Sequence, residues 1–234
     1  MTAITAMTQR MIPAVATRGR LLSMAAVGIF GIAVGIILQR SDISLDDMNE
    51  YIAGFGFAIF VPLVALVIAT ATLGTLIEEK TLVYFWLRPI GRWKISAAAM
   101  LAGLIVLVPL ILVPMGVIGA VAGEAPSIIG ALAGAGVGLV AYLSVFTMLG
   151  LFTQRALIWG LVYVLVWEGL VAGFSQGARR LAIRTYARGA MSRISDTEVI
   201  SDPPTSAVII IVTVAVALVC FAVTTWRLNS MTVD

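Results

Sequence analysis

Apolar residues in this chain gather in long unbroken runs. They show neither the two-residue alternation of a strand nor the narrow stripe of a surface helix. Cut at their charges, the runs are Leu21–Leu38, Tyr51–Ile77, Ile95–Gly123, Ser127–Thr153, Ala156–Ser175 and Thr205–Trp226. Each is close to or above the roughly 20 residues that cross about 30 Å of hydrocarbon as a helix. Lipid offers no partner to an unpaired backbone group, and barrel strands would alternate, so the pattern predicts six transmembrane helices. Pro126 and the pair Pro203–Pro204 stand just before the fourth and sixth runs, where proline suits a first helical turn. Pro62, Pro109 and Pro114 fall inside runs and predict kinks.

Composition sharpens this to a class. Hydrophobic residues make up 61% of the chain and charged residues 12%, against about 25% charged in soluble domains. Too little polar surface exists to face water, so the chain is read as an all-α integral membrane protein, multi-pass in a lipid bilayer. The net charge of +3 comes from bases scattered between runs, which gives no footprint for nucleic acid. The single cysteine, Cys220, forms no intrachain disulfide, and the absence of histidine excludes histidine-built zinc sites, Ser-His dyads and histidine proton relays. An intramembrane enzyme also fails for want of a paired-acid motif, so the chain is not expected to be an enzyme.

Residues 21–234 form the expected six-helix transmembrane domain. Residues 1–20 precede it as an amphipathic lead-in, with Arg10, Arg18 and Arg20 interrupting Met7, Met11, Ile12 and Val15. It reads either as a helix along the membrane surface or as a basic tail. Glycines at Gly31 and Gly35, Gly119 and Gly123, and Gly130, Gly134 and Gly138 recur four apart, which lets helix backbones approach closely in lipid. Packing within the subunit and a dimer seam are both open readings.

Lysine and arginine set the orientation. With both ends inside, nine bases are cytoplasmic (Arg10, Arg18, Arg20, Lys80, Arg88, Arg92, Lys94, Arg155, Arg227) and six are outside. The first outer loop is acidic, with Asp42, Asp46, Asp47 and Glu50. The five arginines of the outer amphipathic segment 176–204 run against the rule. Flipping the chain would instead put the N-terminal arginines outside, so both termini are expected to be cytoplasmic.

Charge and aromatic rings concentrate in one place, "GTLIEEKTLVYFWLRPIGRWKI", between the second and third runs. Glu78, Glu79 and Lys80 mark the exit from the bilayer. Leu82, Phe85 and Trp86 then fall at i, i+3 and i+4 on one face of a short helix over 81–87. Pro89 biases Arg88 out of helix and into a turn, and Arg92, Trp93 and Lys94 anchor the return to the interface. The spacing predicts a short amphipathic helix across the cytoplasmic ends of two spans, shaped to receive a push from a partner. The plain alternative is an anchored loop.

With the glutamate before it, "YFWLRPIGRWKI" resembles the permease subunits of the ABC-2 type transporter family. The resemblance implies six spans with both ends in the cytoplasm, and a coupling helix between spans two and three that docks on a separate ATPase. Glu78 or Glu79 matches the family's acid, and Arg88, Pro89 and Arg92 match its turn. A lysine often follows that turn in the family; here Lys94 is the nearest base. The chain has no G-x-x-x-x-G-K-[ST] phosphate loop, since its only lysines are Lys80 and Lys94. ATP and magnesium are therefore expected on a separate nucleotide-binding partner, with the permease a homodimer in a bacterial cell membrane, exporting its substrate.

Glu168, in "VLVWEGLVAGF", is the one ionisable residue well inside an apolar stretch. At about 1.5 Å rise per residue from Ala156 it lies roughly 18 Å in. A charge at that depth is costly and marks a translocation pathway by default; pairing with an outer arginine is the structural alternative. A rival function follows from the same residue, a self-sufficient carrier or channel in which Glu168 serves a proton or ion. Such a carrier calls for more than one buried acid or for broken helices at matched positions of two halves, and the sequence marks neither. A membrane assembly or scaffold protein is the remaining alternative.

Overall fold

The computed structural model describes residues 3–41, 43–78, 91–174, 176–196, 199–200 and 202–231. All of the regular structure among them is helical. Six helices are long and apolar enough to cross a membrane: Arg18–Arg40, Leu45–Gly74, Arg92–Val121, Ala125–Phe152, Ala156–Phe174 and Ser206–Ser230. A seventh element, the N-terminal helix Ala3–Val15, precedes them, and a 13-residue helix, Ile183–Ser195, lies between the fifth and sixth spans.

Local chemistry sets the boundaries. The second span opens where the Ser44 hydroxyl oxygen accepts the Asp47 N–H at 3.1 Å while its own O–H donates to the Asp47 carboxylate at 2.6 Å, an N-terminal cap of the usual kind. The third and fourth spans are joined through Gly123, whose φ of +85° suits a residue without a side chain. Pro126 then fills the first turn of the fourth span. Pro109 and Pro114 sit inside a third-span helix that runs unbroken past them. Pro62 has a larger local effect. Residues Ile52–Phe60 form a π-helix, and ordinary α-helix resumes at Val61, next to the proline that cannot donate a backbone hydrogen bond. A second nine-residue π stretch, Tyr163–Val171, occupies the middle of the fifth span.

The second and fourth spans form the centre of the bundle. Phe57, Phe60, Ile68, Tyr142 and Phe146 are fully buried there, with Leu107, Ile111 and Met115 of the third span closing the core. The first, fifth and sixth spans present Ile29, Phe30, Leu165, Leu170, Ile210 and Leu218 outward, which suits lipid.

Helices in lipid gain by close packing, because tails are as apolar as leucine. The glycine spacing serves this end within the chain. A side chain at Gly130 would meet Met191, one at Gly134 would meet Phe57 and the Ala187 carbonyl, and one at Gly138 would meet Val61. Gly31 receives the Phe55 ring, and Gly119 lies against the Ile128 backbone. Of the glycines spaced four apart, all but Gly123 lie against this subunit's own atoms.

The two ends of the bundle differ. At the near end, where spans two and three are joined, the N-terminal helix buries Met7, Met11 and Val15 at i, i+4 and i+8. Met7 and Met11 share a cluster with Leu73, Ile95, Ala98, Leu151 and Leu228. That cluster gathers the ends of the second, fourth and sixth spans and the start of the third. The far end carries the acidic cap of the second span and the charged segment that follows the fifth.

Candidate functional site

The buried acid of the fifth span organises the middle of the protein. Glu168 is 1% exposed. Its Oε1 accepts the Tyr163 hydroxyl at 3.0 Å and the Ile183 backbone N–H at 2.8 Å, and its Oε2 accepts the Tyr142 hydroxyl. Three donors thus converge on one carboxyl group, from the fourth span, from the fifth span itself and from the segment beyond it. This offsets the cost of taking such a group out of water, which unpaired would be severe. An aromatic cluster encloses it: Tyr142 stacks on Phe146 at 5.6 Å between centroids, and Phe146 meets Tyr163 edge-on at 6.4 Å.

The Ile183 amide is the first N–H of the helix Ile183–Ser195, one of the groups that no intrahelical carbonyl can satisfy. Glu168 therefore caps that helix from another element, with the favourable end of the helix dipole toward the acid. From this anchor the helix runs back along the fourth span. Ala187 passes Gly134 and Met191 passes Gly130, so the helix returns outward while buried on that side. Gly134 lies nine residues into the fourth span, about 14 Å from its start at 1.5 Å per residue. This return helix is thus sunk into the bundle, and the groove that takes it is the glycine face.

On its other side, Arg188 donates through Nε and Nη2 to the Ala53 carbonyl, both at 3.3 Å. Ala53 belongs to the π stretch of the second span, so this contact ties the return helix to that span. Around Arg188 a far-end cavity of about 600 Å³ is lined by Asp46, Asp47, Glu50 and Asp196. The return helix is therefore held by an acid at its start, a glycine groove along its length and a second-span carbonyl on its flank. Near its end, Arg193 donates to the Pro203 carbonyl at 2.8 Å and the Pro204 carbonyl at 3.3 Å, tying it to the start of the sixth span.

Most of the expected coupling stretch lies outside the described residues, namely Glu79, Leu82, Phe85, Trp86, Arg88 and Pro89. For Glu78 only the backbone is described, as the last residue of the second span's helix. Arg92 is described, and its partners are specific. Its guanidinium donates to the carbonyls of Leu228 and Asn229, the latter at 2.7 Å, and more weakly to Met231 at 3.4 Å. It thereby satisfies the orphan carbonyls that end the last span. Glu168 and Arg92 occupy separate places and do not meet.

Run-cutting by charge finds Glu168 but not its partners. Tyr142 is the only titratable residue in the run Ser127–Thr153, and a lone tyrosine at mid-span is the signal that would have pointed to it. The Ile183 amide leaves no mark in the sequence. Compared with known proteins, the chain matches no family model and no curated protein.

Proposed function

We propose that this chain is the membrane-spanning subunit of an ATP-driven transporter, in the manner of the ABC-2 permeases its loop resembles. A separate ATPase binds ATP and magnesium and docks on the stretch around Phe85 and Trp86. In this reading both termini and the 79–90 stretch are cytoplasmic, the far end faces outside, the permease works as a homodimer in a cell membrane, and the substrate moves outward.

The observation that carries the reading is the anchoring of Arg92. It stands one turn after the stretch that would meet an ATPase, and it holds the last backbone carbonyls of the sixth span. A displacement of the loop is thereby passed to the sixth span. From there it reaches Pro203 and Pro204, the Arg193 contacts, the return helix and finally the Ile183–Glu168 bond. Alternating access follows as the sixth span and return helix shift against the packed second and fourth spans. Glu168 acts as the pivot of that motion at the edge of the pathway.

The test is association and transport together. Phe85→Ala with Trp86→Ala should abolish binding of the cognate ATPase, because buried interface aromatics commonly contribute about 2 kcal/mol or more each. Normal association of the folded double variant reduces the stretch to an anchored loop.

One observation favours the rival reading, a self-sufficient carrier. The two π stretches fall in the second span and the fifth, the middle helix of each three-span half, and matched irregularities of this kind mark ion sites in carriers. Against it, the Glu168 oxygens are already engaged by three protein donors, which leaves a proton or ion little to displace. Substrate flux driven by a proton gradient in liposomes holding this chain alone would decide for the carrier.

A further inference from the structure

The arginines beyond the fifth span oppose the charge rule of membrane topology, and not all of them have a side-chain partner among the described residues. Arg193 ties the return helix to the Pro203 and Pro204 carbonyls, and Arg188 holds Ala53. Arg179 and Arg180 are exposed, and among the described residues neither side chain makes a hydrogen bond or ion pair. Only the backbone carbonyls of these two are used, accepting the hydroxyls of Thr185 and Tyr186 at 2.7 Å each. Those bonds fix the Arg179–Arg180 turn against the return helix while the guanidinium groups stay open.

These groups line a cavity of about 420 Å³ together with Arg193. Among the described residues that line it, Asp202 is the one acid, so three positive charges face one negative charge. The lining also has an apolar part, from Pro203, Pro204 and Val208. Val208 is in the first turn of the sixth span, so the cavity stands where that span meets the headgroup layer. In the chain on either side of Arg179 and Arg180, Leu181 is 68% exposed and Phe174 86% exposed. In water such exposure would be unfavourable, and it fits side chains that lie among acyl chains.

We infer that this far-end cavity binds the phosphate headgroup of an anionic lipid, with Arg179 and Arg180 on the phosphate and the lipid tail along Val208, Leu181 and Phe174. A guanidinium presents paired donors that match phosphate oxygens, and at this depth the abundant anion is a phosphodiester. The apolar part of the lining selects an amphipathic molecule over a free anion. The assignment rests on this cavity alone and holds whether or not an ATPase drives the protein.

The test is native mass spectrometry of the purified full chain released from mixed phosphatidylglycerol and phosphatidylcholine nanodiscs. Phosphatidylglycerol should be retained in preference. Arg179→Gln with Arg180→Gln should cut that preference by about 25-fold, at roughly fivefold for each basic residue at an anionic surface. An unchanged preference in the folded variant overturns the proposal. Val208→Trp, which fills the cavity and keeps every charge, should lower retention too; retention that survives it points to diffuse surface attraction and also overturns the proposal. In a further arm, inorganic phosphate is titrated against the bound lipid. Lipid retained in millimolar phosphate supports a lipid site, and equal displacement by phosphate assigns the cavity to a soluble anion instead.

Discussion

Tyr142 and Glu168, on the fourth and fifth spans, are joined by a hydrogen bond from phenol to carboxylate in the buried middle of the bundle. Because the same carboxylate accepts the first amide of the return helix, the bond couples three elements at one point. Tyr142→Phe keeps the ring and removes one donor. It should lower stability by about 1.5–3 kcal/mol, the usual worth of a hydrogen bond to a charged group. Glu168→Gln should cost at least as much, since its amide sets a fourth donor among the three. Thermal unfolding in detergent reads both, and an unshifted Tm for Tyr142→Phe would mean the bond contributes nothing.

The glycine groove gives a controlled comparison. A Cβ at Gly134 would stand 2.4 Å from the Phe57 ring and 2.6 Å from the Ala187 carbonyl oxygen, while one at Gly136 would meet nothing within 4 Å. Gly134→Ala should cost about 1–3 kcal/mol through overpacking, whereas Gly136→Ala should be neutral or slightly stabilising as alanine favours helix. Folded yield and Tm measured side by side test this, and equal behaviour of the two variants would remove the close contact from the account.

In the proposed transporter, a change at Arg92 would separate docking from transmission. Arg92→Gln keeps the aromatic face of the 81–87 stretch and removes the hold on the end of the sixth span. It should leave association with an ATPase within a few fold and lower transport per ATP hydrolysed at least tenfold. Loss of association in step with transport would place Arg92 in the docking surface instead.

Sidedness has a direct readout. Single cysteines at Asp46 and Asp196 should react with an impermeant reagent in intact cells, and cysteines at Thr17 and Asn229 should react only after lysis. Cys220 is buried in the sixth span and adds little background. Labelling of Thr17→Cys in intact cells inverts the orientation.

Six spans were legible because their signal is length and apolarity, which sum over some twenty positions each. The first span starts at Arg18 where the apolar run starts at Leu21, since backbone geometry continues past the last apolar side chain. The return helix was legible only as an amphipathic stretch. Its burial depends on Gly130 and Gly134 lying opposite Met191 and Ala187, a pairing across some sixty residues that no local window registers. The π stretches were illegible for a related reason. Pro62 marks the end of one, but nothing in "YVLVWEGLV" marks the other, which carries Glu168 and its partner Tyr163. Glu168 announced itself by charge alone, and its role as a helix cap emerges only from the donors brought to it.

The way Glu168 is satisfied bears on how the protein enters its membrane. The fifth span is the shortest of the six at 19 residues and the least hydropathic, and an acid at the centre of a lone helix opposes insertion by about 3 kcal/mol. Of its three donors, Tyr142 is threaded before it, Tyr163 travels with it, and the Ile183 amide leaves the ribosome fifteen residues later. The span is therefore a poor solitary client of the insertion machinery. It has to shelter against the fourth span already in place and settle only when the return segment is synthesised. A chain truncated at residue 180 should leave the fifth span partly uninserted in glycosylation mapping, and one extended to residue 200 should not. Biogenesis of this protein is then expected to run in a unit of two spans and the segment behind them, with the acid acting as the timer.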